Sequence, residues 1–230
     1  MAHTRHFKPE FFAFLSELER NNNRDWFHAN KDRYRVEIQE PLLRFISDFS
    51  GPLGEISPNF IADPRPSGGS MFRIYRDVRF SKDKSPYKTH AAAQFRHRAG
   101  RDVHAPGFYL HLEPGGVFAG AGLWHPDRAA VDQIRTAIVE RPDEWRAVLG
   151  DPSFAKHHEL SGESLKRAPR GYDPEDPLIE DIKRKDFVCV QRFTQKQATS
   201  TTFLDAYVDS CRAASPFVRF LTEAIDQPFF

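Results

Sequence analysis

Cysteine is almost absent from this chain: 230 residues contain two, Cys189 and Cys211, and methionine is as scarce. Both cysteines sit among apolar neighbours (Val188, Val190, Val208), which favours small buried hydrophobes over a redox or metal pair and a reducing, cytoplasmic setting. An excess of one charge is missing too. Lys plus Arg number 33 and Asp plus Glu 32, so no global field steers the chain onto nucleic acid or an anionic membrane. Long apolar runs are also lacking, and nothing approaches the roughly 20 residues of a membrane span. Glu10, Glu17, Glu19 and Arg20 interrupt the first helix-like stretch, so neither a signal peptide nor an anchor is expected. No internal repeat is visible. With 40% apolar and 28% charged residues, the composition excludes a disordered chain, a collagen repeat and a coiled coil.

What the chain has in abundance is phenylalanine, 21 residues beside 6 tyrosines and 3 tryptophans. Most of these rings must fill a core. Phe11, Phe12, Phe14 and Leu15 predict a short helix docking by its ring face. Trp26, Tyr34, Ile38, Leu42, Phe45, Ile46 and Phe49 recur at three- and four-residue steps and predict a long helix over 24–49. One of Asn21, Asn22 and Asn23 is its natural N-cap, Pro41 predicts a kink, and Gly51-Pro52-Leu53-Gly54 predicts its end.

The period then changes to two. Phe72, Ile74, Val78 and Phe80 alternate with polar residues and predict a strand over 72–80, followed by a turn over 81–86. Further strands are expected over 90–98, 108–113 and 117–124, joined by short turns as an antiparallel meander. Pro126 suits the first turn of a helix carrying Val131, Ile134, Ile138 and Val139. Residues 150–176 read as a long loop, 178–185 as a short helix, 187–193 as a last strand and 202–214 as a helix with a further turn beyond. The expected fold class is α+β: a single domain over 1–230, with an antiparallel sheet flanked by N-terminal and C-terminal helices. Residues 1–58 are helical, 70–124 mainly strands, and 125–230 helices with the long loop.

Global neutrality hides a local excess. Between Arg65 and Arg101 lie ten basic residues and only Asp77 and Asp83 as acids, a local charge of +8 that leaves −7 on the rest. One reading is a solvated outer sheet face, since exposed strand faces are commonly polar. The other is recognition of an anion. Strand parity would place Arg73, Tyr75, Asp77 and Arg79 on one face, with Tyr109, His111 and Glu113 nearby. The following turn adds Lys82, Lys84, Tyr87 and Lys88. His111 and Glu113, two apart on a strand, share a face and can act as a general acid–base pair. They could also ligate a metal with Asp77 or His125 as third ligand, but no Cys/His cluster supports that and no metal site is assigned; plain structural pairing with the arginines ranks above both readings. Glycines 115, 116, 120 and 122 match no phosphate-binding fingerprint and read better as close packing or a bulge.

Several strings resemble a known family. Asn22-Asn23-Arg24-Asp25-Trp26-Phe27 is one, and the run from Phe72 through Arg76-Asp77-Val78-Arg79-Phe80-Ser81-Lys82-Asp83-Lys84-Ser85-Pro86-Tyr87-Lys88-Thr89-His90 is the longest. Segments 107–113, 120–124 and 165–172 are similar as well. Together they resemble the uncharacterised bacterial and fungal family called domain of unknown function twenty-four sixty-one. The Asp-His-Pro associated with that family reads Glu175-Asp176-Pro177 here. The resemblance implies one compact domain and supplies no activity, cofactor or catalytic residue.

The residues themselves point to an anionic small molecule bearing phosphate or carboxylate. Arg73, Arg79, Lys82, Lys84 and Lys88 would clamp it, Tyr75, Tyr87 and Tyr109 orient it, and Trp124 join the binding surface. Asp77, His111 or Glu113 would move any proton, and Lys166 and Arg167 would close from the long loop. The alternative is a module for single-stranded nucleic acid or an acidic protein surface, without catalysis. No membrane partner is expected, and the oligomeric state is not read from the sequence.

Overall fold

The structure, a computed structural model, describes residues 4–100 and 105–230. Arg101, counted in the basic window, lies outside the described residues. Helix α1 (Pro9–Arg20) buries Phe11, Phe12, Phe14 and Leu15, the ring face expected of it. The predicted long helix is instead a broken series: α2 (Arg24–Ala29), α3 (Lys31–Arg33), a π-helical turn over Tyr34–Gln39, and α4 (Glu40–Ile56). The π turn stands just before Pro41, where the helix was expected to kink. Pro41 has no N–H, and in α-geometry its ring would strike the Glu37 carbonyl; widening the preceding turn relieves both problems.

The predicted stop at Gly51–Gly54 does not hold, because α4 continues to Ile56 with Pro52 inside it. Leu53 and Ile56 are buried, and each contributes roughly 1.5–3 kcal/mol, enough to offset about 3 kcal/mol for the proline. Asn23 is the N-cap of α2, its side chain accepting from the Trp26 N–H at 2.9 Å. Asn22 has a different task. Its amide donates to the Tyr87 carbonyl (2.9 Å) and accepts from the Tyr87 N–H (3.0 Å), tying the 71–90 segment to the helices.

Strands β1 (Phe60–Ile61), β2 (Ala91–His97), β3 (Gly107–Leu112), β4 (Val117–Leu123), β5 (Glu159–Ser161) and β6 (Phe187–Phe193) form one antiparallel sheet in the order β1-β2-β3-β4-β6-β5. The fold class is α+β, as the sequence implied. The meander of β2, β3 and β4 is present, and β6 returns beside β4. The predicted strand over 72–80 is absent. Met71 bridges Ala93 and Tyr75 bridges Tyr87, so this segment is an irregular arm laid along the open edge of β2.

The chain after β4 runs through α5 (Arg128–Glu140), α6 (Pro142–Gly150) and α7 (Pro152–His157). After β5 comes α8 (Ile179–Ile182), and after β6 come α9 (Gln195–Ala198) and α10 (Phe203–Ala224). Asp127, not Pro126, caps α5 by accepting from the Ala130 N–H at 2.8 Å. The expected 150–176 loop thus holds a helix and an edge strand, and the C-terminal helix is longer than its apolar stripe suggested.

Helix α10 packs along β4 and against α4. Alternation does the rest: Phe95, Phe108, Leu110, Leu112, Val117, Ala119, Ala121, Leu123 and Phe187 are buried on the sheet face toward it. Phe49 and Tyr207 reach across the layer, with ring centroids 5.0 Å apart and Phe49 4.6 Å from Phe95. Cys189 and Cys211 are buried and unpaired, as expected.

His158 gives this core a pH dependence. It is buried, lies 5.3 Å from the Phe154 ring in a stacked arrangement, and its Nε2 is 3.3 Å from Ser210 Oγ of α10. Burial pushes its pKa down to about 4, helped by His157. The folded state therefore binds fewer protons than the unfolded state between about pH 6.5 and pH 4. Stability from this group is complete above about pH 6.5 and falls as pH drops through that window, with no further loss below about pH 4. Melting temperature against pH should show this early acid limb, and His158→Leu should flatten it by one proton. An unchanged slope in the variant would contradict the assignment.

Candidate functional site

The alternate residues of the strands point away from α10, and their register builds a second surface. One cross-strand row is Ala92, His111, Phe118 and Arg192; the next is Gln94, Tyr109, Gly120 and Val190; the third is Arg96, Gly107, Gly122 and Val188. Glycines where a sheet face would otherwise carry side chains leave a hollow. It forms a cavity of about 740 Å³ with Phe72 and His90 on the arm side and Trp124 and Ser161 at the far end. Gly122 cannot be otherwise: its φ is +113°, and a Cβ there would lie 2.1 Å from the Phe187 carbonyl oxygen. This is the close approach anticipated for the glycine run, and no phosphate loop is present at it.

A hydrogen-bonded chain lies along one wall. Tyr109 Oη is 3.0 Å from His111 Nδ1, and His111 Nε2 is 3.3 Å from Glu113 Oε2. Thr89 Oγ1 donates to Glu113 Oε1 at 3.3 Å. Burial holds the His111 imidazole below its ordinary range, against the upward pull of Glu113. A neutral ring beside an acceptor-only carboxylate carries its proton on Nε2, so Nδ1 accepts from the Tyr109 phenol. That phenol stays protonated, because burial and Glu113 push its pKa up to about 12.

The neighbours of His111 fix its ring. Phe118 of β4 stacks on it at 4.6 Å and 15°, and His90, entering β2 on the other side, lies 4.5 Å away. Burial, with His111 and Lys88 nearby, lowers the pKa of His90 to about 4. The His111 side chain is only 12% exposed and Glu113 41%, so the chain runs from the cavity outward.

The structure gathers only part of the expected set. Tyr109, His111 and Trp124 line the cavity and Glu113 bonds to His111. Lys88 stands beside it, its Nζ 5.1 Å from the Phe72 ring centroid, and burial and Arg73 hold its pKa down. Tyr87 instead stacks on Phe27 at 4.1 Å, with Tyr75 5.4 Å from it. Asp77 and Arg79 are exposed and paired with each other at 2.7 Å, so Asp77 takes no part in the His111 chain. Lys84 donates to the Val78 carbonyl at 3.0 Å, Lys82 is exposed in the same arm, and Lys166 and Arg167 are exposed after β5. The single face expected for Arg73, Tyr75, Asp77 and Arg79 dissolves with its strand. His125 binds Asp186 at 3.4 Å and is no third ligand.

Sequence reasoning missed His90, Gln94, Phe118, Arg96 and Arg192. The signal lay in register: once β2 and β4 flank β3 and β6 flanks β4, parity places all five on the face of His111.

Residues 10–220 match the sequence model of a family described as a conserved hypothetical protein (DUF2461). No curated protein and no solved structure matches the chain.

Proposed function

This chain belongs to the DUF2461 family of conserved hypothetical proteins, and from its own site we propose that it binds an anionic small molecule in the open-face cavity and performs acid–base chemistry on it. The observation that carries this reading is one juxtaposition. A Tyr–His–Glu hydrogen-bonded chain shares a 740 Å³ cavity with Arg96 and Arg192. Among the described residues no carboxylate pairs with either arginine, Arg96 donating instead to the Gln94 side chain at 3.0 Å, and burial with Arg73 nearby holds down the pKa of the half-buried Lys88. Cations gathered at a hollow without counter-charge favour an anionic ligand. A phosphate or carboxylate would meet Arg96 or Arg192, which stand at opposite corners of the face, while the apolar part of the ligand lies over Gly120, Gly122, Val188 and Val190.

The chemistry follows from the tautomer. A ligand hydroxyl at Tyr109 Oη passes its proton as the phenol proton moves to His111 Nδ1, and Glu113 stabilises the imidazolium. The buried, unpaired thiols of Cys189 and Cys211 support a reducing, cytoplasmic setting. No described helix is long and apolar enough to cross a membrane.

A thermal-shift screen of EDTA-treated protein against sugar phosphates, nucleotides and dicarboxylates tests the reading. A ligand at a hundred times its Kd adds about 2.7 kcal/mol, roughly 5–11 °C for a chain of this size. Arg192→Ala should weaken the hit about tenfold or more, because a charged hydrogen bond contributes roughly 1.5–3 kcal/mol. Wild-type affinity retained in both Arg96→Ala and Arg192→Ala would refute it.

A second reading attaches to a different part of the molecule. Phe80, 96% exposed, projects from the arm beside Arg79, Lys82 and Lys84, and could stack on a base of single-stranded nucleic acid. Short oligonucleotides in the same screen, at two salt concentrations, report on it: a shift that vanishes in Phe80→Ala and at high salt would support that module.

A further inference from the structure

We propose that His90, His111 and Glu113 form a binding site for one divalent first-row transition-metal ion of the Zn²⁺ and Fe²⁺ class, with open coordination positions facing the cavity. The three side chains offer two imidazole nitrogens and a carboxylate oxygen, all within 4.8 Å of one another. His111 Nε2 and Glu113 Oε2 are 3.3 Å apart, the spacing of neighbouring ligands on an ion held at about 2.1 Å. His90 needs a side-chain swing of about an ångström to complete the set. Two histidines and one carboxylate with vacant positions is a donor set for transition ions, whereas Mg²⁺ and Ca²⁺ ask for oxygen.

The surroundings are those of a ligand set rather than a chance contact. Each donor beyond His90 is held by a partner on its far atom: Tyr109 Oη on His111 Nδ1, and Thr89 Oγ1 on Glu113 Oε1. Such outer partners orient metal ligands and set the histidine tautomer. Phe118 stacks on the His111 ring and removes its freedom to turn. On binding, the His111 proton moves from Nε2 to Nδ1 and donates to Tyr109, the Nε2 lone pair goes to the ion, and the phenol proton turns toward the cavity. No proton is gained or lost. Lys88 opposes a cation here, which favours ions that bind by lone-pair donation over those held by charge alone.

This inference rests on the cavity as the ligand site and recasts its reactive end. The bound anion would take open positions on the ion, and ion-bound water would supply the base.

Untagged protein, stripped with EDTA and dialysed, is titrated with Zn²⁺ by calorimetry and with Co²⁺ by visible absorption. One ion per chain is expected, with a Co²⁺ spectrum of fewer than six ligands. His90→Ala, His90→Asn and Glu113→Gln should each weaken Zn²⁺ at least tenfold, Tyr109→Phe about 10–100-fold, and Asp77→Asn not at all. Circular dichroism and melting of the metal-free variants establish that they are folded. Absence of Zn²⁺ binding, or binding indifferent to both His90 variants, overturns the proposal. Anion binding measured in EDTA without any Zn²⁺ binding removes the metal and leaves the anion reading; Zn²⁺ binding without any anion hit does the reverse.

Discussion

Gly122→Ala is expected to cost about 4 kcal/mol or more of stability, lowering the melting temperature by roughly 10 °C or more. Two independent costs add. The backbone at φ +113° lies outside the regions open to residues with a Cβ, a penalty of about 1–3 kcal/mol. The new methyl would also sit 2.1 Å from the Phe187 carbonyl oxygen and 2.9 Å from Phe217 Cε1. Neither neighbour can retreat, since Phe187 is fully buried in β6 beside β4 and Phe217 is fully buried in α10. Relief therefore requires opening the β4–β6 pair. Gly120→Ala makes the contrast within one strand. Its nearest contact is Tyr109 Cβ at 3.6 Å, ordinary packing, so stability should change little while the methyl fills cavity space beside Tyr109. Urea melts of both variants decide the matter, and a Gly122→Ala midpoint close to that of Gly120→Ala would contradict the clash.

The contrast shows what a sequence can and cannot disclose about this site. Alternation over 108–112 and 117–123 was legible because each strand has one face on α10 and one on the cavity, so period two reports true burial. The same period over 72–80 misled. Extended chain alternates whether or not it pairs: the arm bonds to β2 only at its start, through Ser70 and Phe72, and beyond that to itself between Ile74–Arg76 and Pro86–Lys88. The basic window is partly answered by acids close to it in the chain. In Asp63-Pro64-Arg65 and Asp77-Val78-Arg79 the aspartate accepts from both the backbone and the guanidinium of the arginine two residues on, and Arg76 pairs with Asp83. Three of the ten cations thus have acid partners, and of those acids only Asp63 lies outside the window and was not already counted in its +8. His111 and Glu113 were readable from parity within one strand, but His90 became part of their group only through strand order, which is a property of the whole sheet.

The largest single effect outside the glycines is expected at Asp186. This carboxylate is 1% exposed, yet no lysine or arginine among the described residues pairs with it. It accepts the His125 N–H at 2.8 Å through Oδ1 and the Glu163 N–H at 2.9 Å through Oδ2, with His125 Nδ1 3.4 Å away. Those two bonds hold the turn after β4 and the turn after β5, where His125 has φ 49° and Gly162 φ 98°. Asp186→Ala leaves two half-buried N–H donors without their acceptor at about 1–2 kcal/mol each and no longer holds the two turns, so a loss of roughly 2–4 kcal/mol is expected. Asp186→Asn keeps one acceptor oxygen and turns an N–H toward the other donor, so it should fall between. Trp124 and Ser161 at the far end of the cavity are carried by these same two turns. Asp186→Asn should therefore weaken ligand binding at the cavity while leaving Zn²⁺ affinity at His90, His111 and Glu113 intact. Amide exchange at His125 and Glu163 reads the local effect, and unchanged protection in Asp186→Ala would show that the turns hold without the carboxylate.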